Sequence, residues 1–161
     1  MRIPPHSLPS EVGCLAGVFA DWTAWYEVAT ILTATDFYSE NHRRVFAAMK
    51  ASADASETGA PDYFGIRAAM VEQGTSDQIP PGFLEKIGAM SVGAVDPARL
   101  ARGVRACSIR RAAIAKLATL QDEAYDTSTD VETWISASSS EIEALAPAAF
   151  ESVVPAKIAL Q

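Results

Sequence analysis

Apolar positions in this chain recur mostly at helical spacing, and no stretch alternates long enough to read as a strand. In LPSEVGCLAGVF the recurring residues are Val12, Leu15, Ala16 and Phe19. Ser7 or Ser10 can cap that helix, and Pro9 fits its first turn. After Asp21 a short helix follows, with Trp25, Val28, Ala29 and Leu32 on one face. A third helix, from Ser39 to about Ala53, aligns His42, Val45, Phe46 and Met49 at i, i+3, i+4 and i+7, and turns Arg43, Arg44 and Lys50 away. A fourth is predicted from the N-cap Asp62 through Tyr63, Ile66 and Met70 to near Gly74. A fifth follows Pro80 and Pro81 and uses Phe83, Leu84, Ile87 and Met90.

The pattern lengthens after residue 95. Asp96 can cap and Pro97 suits a first helical position, and no further proline occurs until Pro147. One helix over residues 97–125 would span about 43 Å at about 1.5 Å per residue. DTSTD, residues 126–130, breaks it, and Thr129 with Glu132 makes a capping-box pair for the next helix. That helix carries Val131, Trp134, Ile135, Ser138, Ile142 and Leu145 on one stripe. The prediction is an all-α chain. Residues 1–95 form a compact helical head and residues 96–146 a long antiparallel helical hairpin, with the start of a linker over 147–161.

Charge supports the hairpin. Residues 96–126 hold six basic side chains, whereas residues 127–161 hold five acids and one lysine. Folding about residue 128 places Lys116 near Glu141 and Arg105 near Glu151. Val104, Ile114, Leu117, Val131, Trp134, Ile135 and Ile142 exceed what two helices bury against each other, so a partner face is expected.

Composition narrows the class. The chain has 161 residues, 49% hydrophobic and 20% charged, with net charge −7. Those values suit a globular domain, and the negative balance argues against duplex DNA as the main partner. No apolar run is long enough to span a membrane, and MRIPPHSLPSEVG has no secretory h-region. Cys14 and Cys107 lie far apart and read as buried free thiols in a reducing compartment.

Catalytic constellations are missing. The histidines are His6 and His42, with no His/Cys cluster at metal-ligand spacing. None of the four lysines is followed by Ser or Thr, which excludes a Walker A loop within this sequence. There is no G-x-S-x-G or G-x-G-x-x-G. His42 admits a titrating role or a core-edge role, the latter favoured. Arg99, Arg102 and Arg105 suit salt bridges, to the acidic arm or a neighbouring subunit, better than nucleic acid. Trp134 reads as packing, within the hairpin or between chains.

The order PPHSLPSEVGCLAGVF, WYEVATIL, DFYSENHRRVFAAM and ARLARGVRACSIRR…DEAYD resembles the N-terminal domain of the DnaB-type replicative DNA helicases, over about residues 4–146. The family pattern runs P-P-H-S-x-E-A-E-x-A-V-L-G, then W-x-x-V-x-x-I-L, then D-F-Y-x-x-x-H-x-x-I-F-x-A-M. Leu15 and Met49 are expected in the head core. Phe37, Tyr38, His42 and Phe46 match the family's head-core positions, with the arginines outward. The resemblance implies hairpins that pair into dimers, three dimers forming a collar on a hexameric ring. The hairpin and oligomer interface would use Val104, Arg110, Arg111, Ile114, Leu117, Val131, Trp134, Ile135 and Ile142. It also implies docking of the primase C-terminal domain and, in some systems, a helicase loader. Location would be cytoplasmic, with weak or no direct DNA binding. ATP and Mg would belong to a motor domain beyond the linker, and no catalytic, cofactor or metal site is expected here. Gly103 replaces a usually aliphatic position, so a bend or close packing is expected there. A stand-alone adaptor or decoy that binds primase or helicase is the alternative reading, and a small DNA-binding protein the second.

Overall fold

The computed structural model describes residues 2–90 and 96–145. Every regular element among them is helical. They divide into two compact units: His6–Ser108, the head, and a second unit made of residues 2–5 and 109–145.

The head is built from short helices with polar caps. Helix α1 (Leu8–Ala20) starts where Ser7 Oγ accepts the Ser10 N–H at 3.3 Å, and Pro9 sits in its first turn. Asp21 then caps a 3-10 turn at Trp22–Ala24, accepting from Thr23, and leads into α2 (Trp25–Ile31). Helix α3 (Glu40–Ala55) is capped by Ser39, and α4 (Tyr63–Glu72) by Asp62, whose Oδ1 accepts the Phe64 and Gly65 N–H groups at 2.9 Å. Gly74, at φ +63°, ends α4 in a Schellman turn, with Thr75 N–H on Met70 O at 2.9 Å. Helix α5 (Phe83–Gly88) is a turn and a half.

Phe37, Phe46, Leu15, Met49, Val45 and Ile66 are fully enclosed in the head. The ring of Phe46 lies 5.0 Å from that of Phe37 and 5.1 Å from that of Trp25, both tilted. Helices α3 and α4 pack closely because Gly65 has no side chain; a Cβ there would strike Ser52 Oγ.

Helix α6 (Pro97–Glu123) is one continuous element, and its residues up to Ser108 belong to the head. The sequence placed the boundary at 95/96; it falls at 108/109. The cause is a small-residue seam. Gly17 of α1 faces Pro97, with no room for a Cβ between them, and a Cβ on Gly13 would lie 2.8 Å from Leu100 Cδ1. Ala98, Ala101 and Val104 are buried along the same part of α6. Val104, assigned from sequence to the hairpin interface, is therefore a head-core residue. Gly103 is not a close approach, since a Cβ there would meet only Ser10 Oγ at 3.9 Å.

In the second unit, residues 109–123 of α6 and helix α7 (Val131–Glu143) form the hairpin. Lys116 Nζ lies 3.1 Å from Glu141 Oε2, the pair expected from folding about residue 128. The cap of α7 is Asp130, whose Oδ2 accepts Thr133 N–H at 3.0 Å, in place of the Thr129–Glu132 box. Aspartate fits because its short carboxylate already sits at the residue where the backbone turns helical. The predicted linker from 147 lies outside the described residues, as does Glu151.

Candidate functional site

The stretch DFYSENHRRVF is organised by two buried carboxylates. Glu11, in the first turn of α1, points into the head, where Oε1 accepts the Tyr38 N–H at 2.7 Å and Oε2 the Ser39 N–H at 3.1 Å. His42 Nδ1 lies 2.8 Å from Oε2. Burial pushes the Glu11 pKa up, but the hydrogen bonds from His42, Tyr38 and Ser39 outweigh it and hold the group below its ordinary value. An ionised carboxylate only accepts, so His42 carries its proton on Nδ1. His42 is thus buried and orients the carboxylate from α3.

Asp36 is the second. Its Oδ2 accepts from Thr33 N at 2.8 Å and Thr33 Oγ1 at 3.0 Å, and Arg105 Nη1 reaches Oδ1 at 2.6 Å. Burial again opposes ionisation; the bonds from Thr33, Ser108 and Arg105 overcome it and lower the pKa. Glu11 and Asp36 together fix the backbone from Thr33 to Ser39 to α1, α3 and α6. Neither was singled out from sequence. The available signal was Glu11 three and four residues before Cys14 and Leu15, a charge on an apolar stripe.

The other residues of the stretch are structural in different ways. Phe37 and Phe46 are core, as are Leu15 and Met49. Tyr38, expected in the core, is 39% exposed, and its ring stacks on His6 at 4.2 Å. Fastening its N–H to Glu11 sets the backbone so that the ring faces the surface. The arginines, expected outward, are half-buried and hold carbonyls. Arg43 donates to Phe37 O at 3.0 Å and to Glu40 at 2.9 Å, while Arg44 donates to Gln78 O at 3.3 Å.

Arg102, Arg105 and Arg111 of α6 are engaged within their units, whereas Arg99 is exposed. Arg102 pairs with Glu27 at 2.7 Å and Arg105 with Asp36, so their acids come from the head rather than from the acidic arm. In the second unit Arg111 Nη1 donates to Pro5 O at 2.9 Å, and Arg110 is exposed. Ile114, Leu117, Val131, Ile135 and Ile142 of the hairpin are all exposed, and Trp134 is half-buried. Leu120 and Ser138 are the buried residues of this unit among those described.

No group of three or more His, Cys, Asp and Glu among the described residues is placed to hold a metal ion. The Cys14 thiol is buried, which pushes its pKa up to about 12. No helix among the described residues is long and apolar enough to cross a membrane.

These features define a helical scaffold domain, in which ionised groups fasten loops to helices and a hairpin shows unburied aliphatic side chains. The chain belongs to the DnaB-like helicase N-terminal domain family, whose model matches residues 3–102. It is similar to the replicative DNA helicase DnaB of Geobacillus stearothermophilus, 34% identical over 90 residues, which is 56% of this chain and 18% of that protein. It is 40% identical over 50 residues to the replicative DNA helicase DnaB of Buchnera aphidicola from Acyrthosiphon pisum, or 31% of this chain and 11% of that protein. The chain thus spans under a fifth of the length of these curated relatives. The crystal structure of the N-terminal domain of DnaB helicase from Mycobacterium tuberculosis shares the fold. It gives a TM-score of 0.76 at 20% identity, covering 89% of this chain and 99% of that one.

Proposed function

We propose that this domain assembles and docks within a replicative DNA helicase. Copies pair through the hairpin, the pairs form the collar of a hexameric ring, and the collar receives the primase C-terminal domain, with a loader protein as a further partner. The chain itself contributes no catalysis; ATP and Mg act in the motor of the parent protein.

The observation that carries this reading is the hairpin surface. Ile114 and Leu117 lie one turn apart on α6, and Val131, Ile135 and Ile142 recur at helical spacing on α7, all exposed. An aliphatic face of that periodicity is what a helix-pairing interface requires. The arginines favour the same reading over DNA binding, because Arg102 and Arg105 already neutralise acids of the head.

The test is sedimentation equilibrium of the chain at micromolar concentration, alone and with a primase C-terminal domain. The expected result is a dimer or higher assembly. Replacing Ile114 and Ile135 together by glutamate should return it to monomer with unchanged helical content. A strictly monomeric wild-type chain at high micromolar concentration would overturn the proposal.

A further inference from the structure

Helix α4 is apolar on two opposite faces. Ile66, Ala69 and Met70 point into the head core. Phe64 and Val71, two turns apart on the outward side, are 81% and 68% exposed, and Ala68 beside them is exposed too. Phe64 is the most exposed large apolar side chain among the described residues. A helix apolar all round is normally covered on both sides.

The surroundings state what kind of cover fits. Between Ser56 and Gly88 the chain carries five acids and two basic residues. Arg67 is spent on Glu85 at 3.3 Å. Glu72 and Asp77 are exposed with no ion pair among the described residues, against one basic residue of this stretch that is likewise exposed and unpaired, Lys86. The patch is thus an aromatic and aliphatic strip on the head, in a stretch of chain with an excess of unpaired acids. From this we infer that the outer face of α4 is a docking site for a cationic amphipathic helix of another protein, with apolar side chains seated on Phe64 and Val71 and lysines or arginines facing Glu72 and Asp77. Charge complementarity selects this occupant: an acidic helix would be repelled, and an uncharged one would leave the acids unanswered. Phe64 is the anchor, since aromatic side chains dominate the energetics of such contacts.

The experiment uses the full chain and a fluorescein-labelled model helix of leucine and lysine, with leucines at i, i+3, i+4 and i+7. The same helix with glutamate for lysine is the control, and binding is read by anisotropy. The lysine helix should bind, more weakly as salt rises, and the glutamate helix should not. Phe64→Ser with Val71→Ser should weaken binding about tenfold or more. Glu72→Lys with Asp77→Lys should weaken it as well, at unchanged circular dichroism in each case. Equal binding of both helices, no binding, or indifference to the α4 substitutions would overturn the inference. So would a change in sedimentation of the chain alone on Phe64→Ser and Val71→Ser, which would make a second copy the occupant. The Ile114 and Ile135 glutamate variant should bind the lysine helix as wild type does, so failure here and failure of hairpin assembly are told apart.

Discussion

Glu11 and Asp36 show how single side chains set the head. Each is a buried carboxylate held ionised by donors, with a pKa below the ordinary value. A depressed folded-state pKa gives stability that is present above the unfolded value, near about 4, and is lost as pH falls through the folded one. Thermal unfolding should therefore be nearly flat from pH 7 down to about 5 and drop steeply below about 4. Glu11→Gln should lose about 1–3 kcal/mol at pH 7, because buried donors lose their charged acceptor. It should also show a shallower acid decline than wild type in melts followed by circular dichroism. A variant as stable as wild type at pH 7 would contradict the clamp. Tyr38 teaches the matching lesson about legibility. Its aromatic character pointed to the core, but its direction is decided by the backbone bond to Glu11, a contact 27 residues away in sequence that spacing does not reveal.

Helices were legible because their signals are local. Ser39 and Asp62 mark the starts of α3 and α4, and the 3.6-residue rows at His42–Met49 and Ile66–Met70 give their buried faces. The cap of α7 was missed by one residue, since DTSTD offers several residues with suitable oxygens and only the bond to Thr133 distinguishes them. The division of α6 was missed for a deeper reason. Its sequence runs evenly helical, whereas the packing of its first turns on the head depends on Gly13 and Gly17 of another helix. Small residues that admit a neighbour look like any other alanines and glycines until the neighbour is known. Gly17→Val should separate α1 from Pro97 and destabilise the head by about 1–3 kcal/mol, the usual cost of overpacking. Gly103→Ala, at a position with room for a methyl group, should stabilise α6 by up to about 1 kcal/mol. Chemical denaturation of both variants checks the contrast, and similar effects at the two glycines would show that helix propensity alone is at work.

Over the whole molecule the two units differ in how much they enclose. The head closes a continuous aromatic and aliphatic core, while the described part of the second unit buries Leu120 and Ser138 and leaves most of its aliphatics outside. Local stability follows buried contacts, so α3 amides should exchange with solvent far more slowly than those of α7 in dilute chain. Hydrogen exchange followed by mass spectrometry at increasing concentration should then show α7 gaining protection while α3 does not change. Protection of α7 that ignores concentration would speak against assembly through the hairpin. The fold class was readable because helical periodicity recurs along the sequence and charge asymmetry sets the two arms of the hairpin apart. The exposed hairpin face was readable only as an excess of aliphatic residues, and which of them remain outside had to come from packing. The placement of the three tryptophans adds an experimental handle. Trp22 and Trp25 report on the head, and Trp134 alone lies in the hairpin, beside the exposed aliphatics of α7. Subtracting the emission spectrum of a Trp134→Phe chain from that of wild type would isolate the light from that one indole, a label-free optical gauge of whether the hairpin has met its partner.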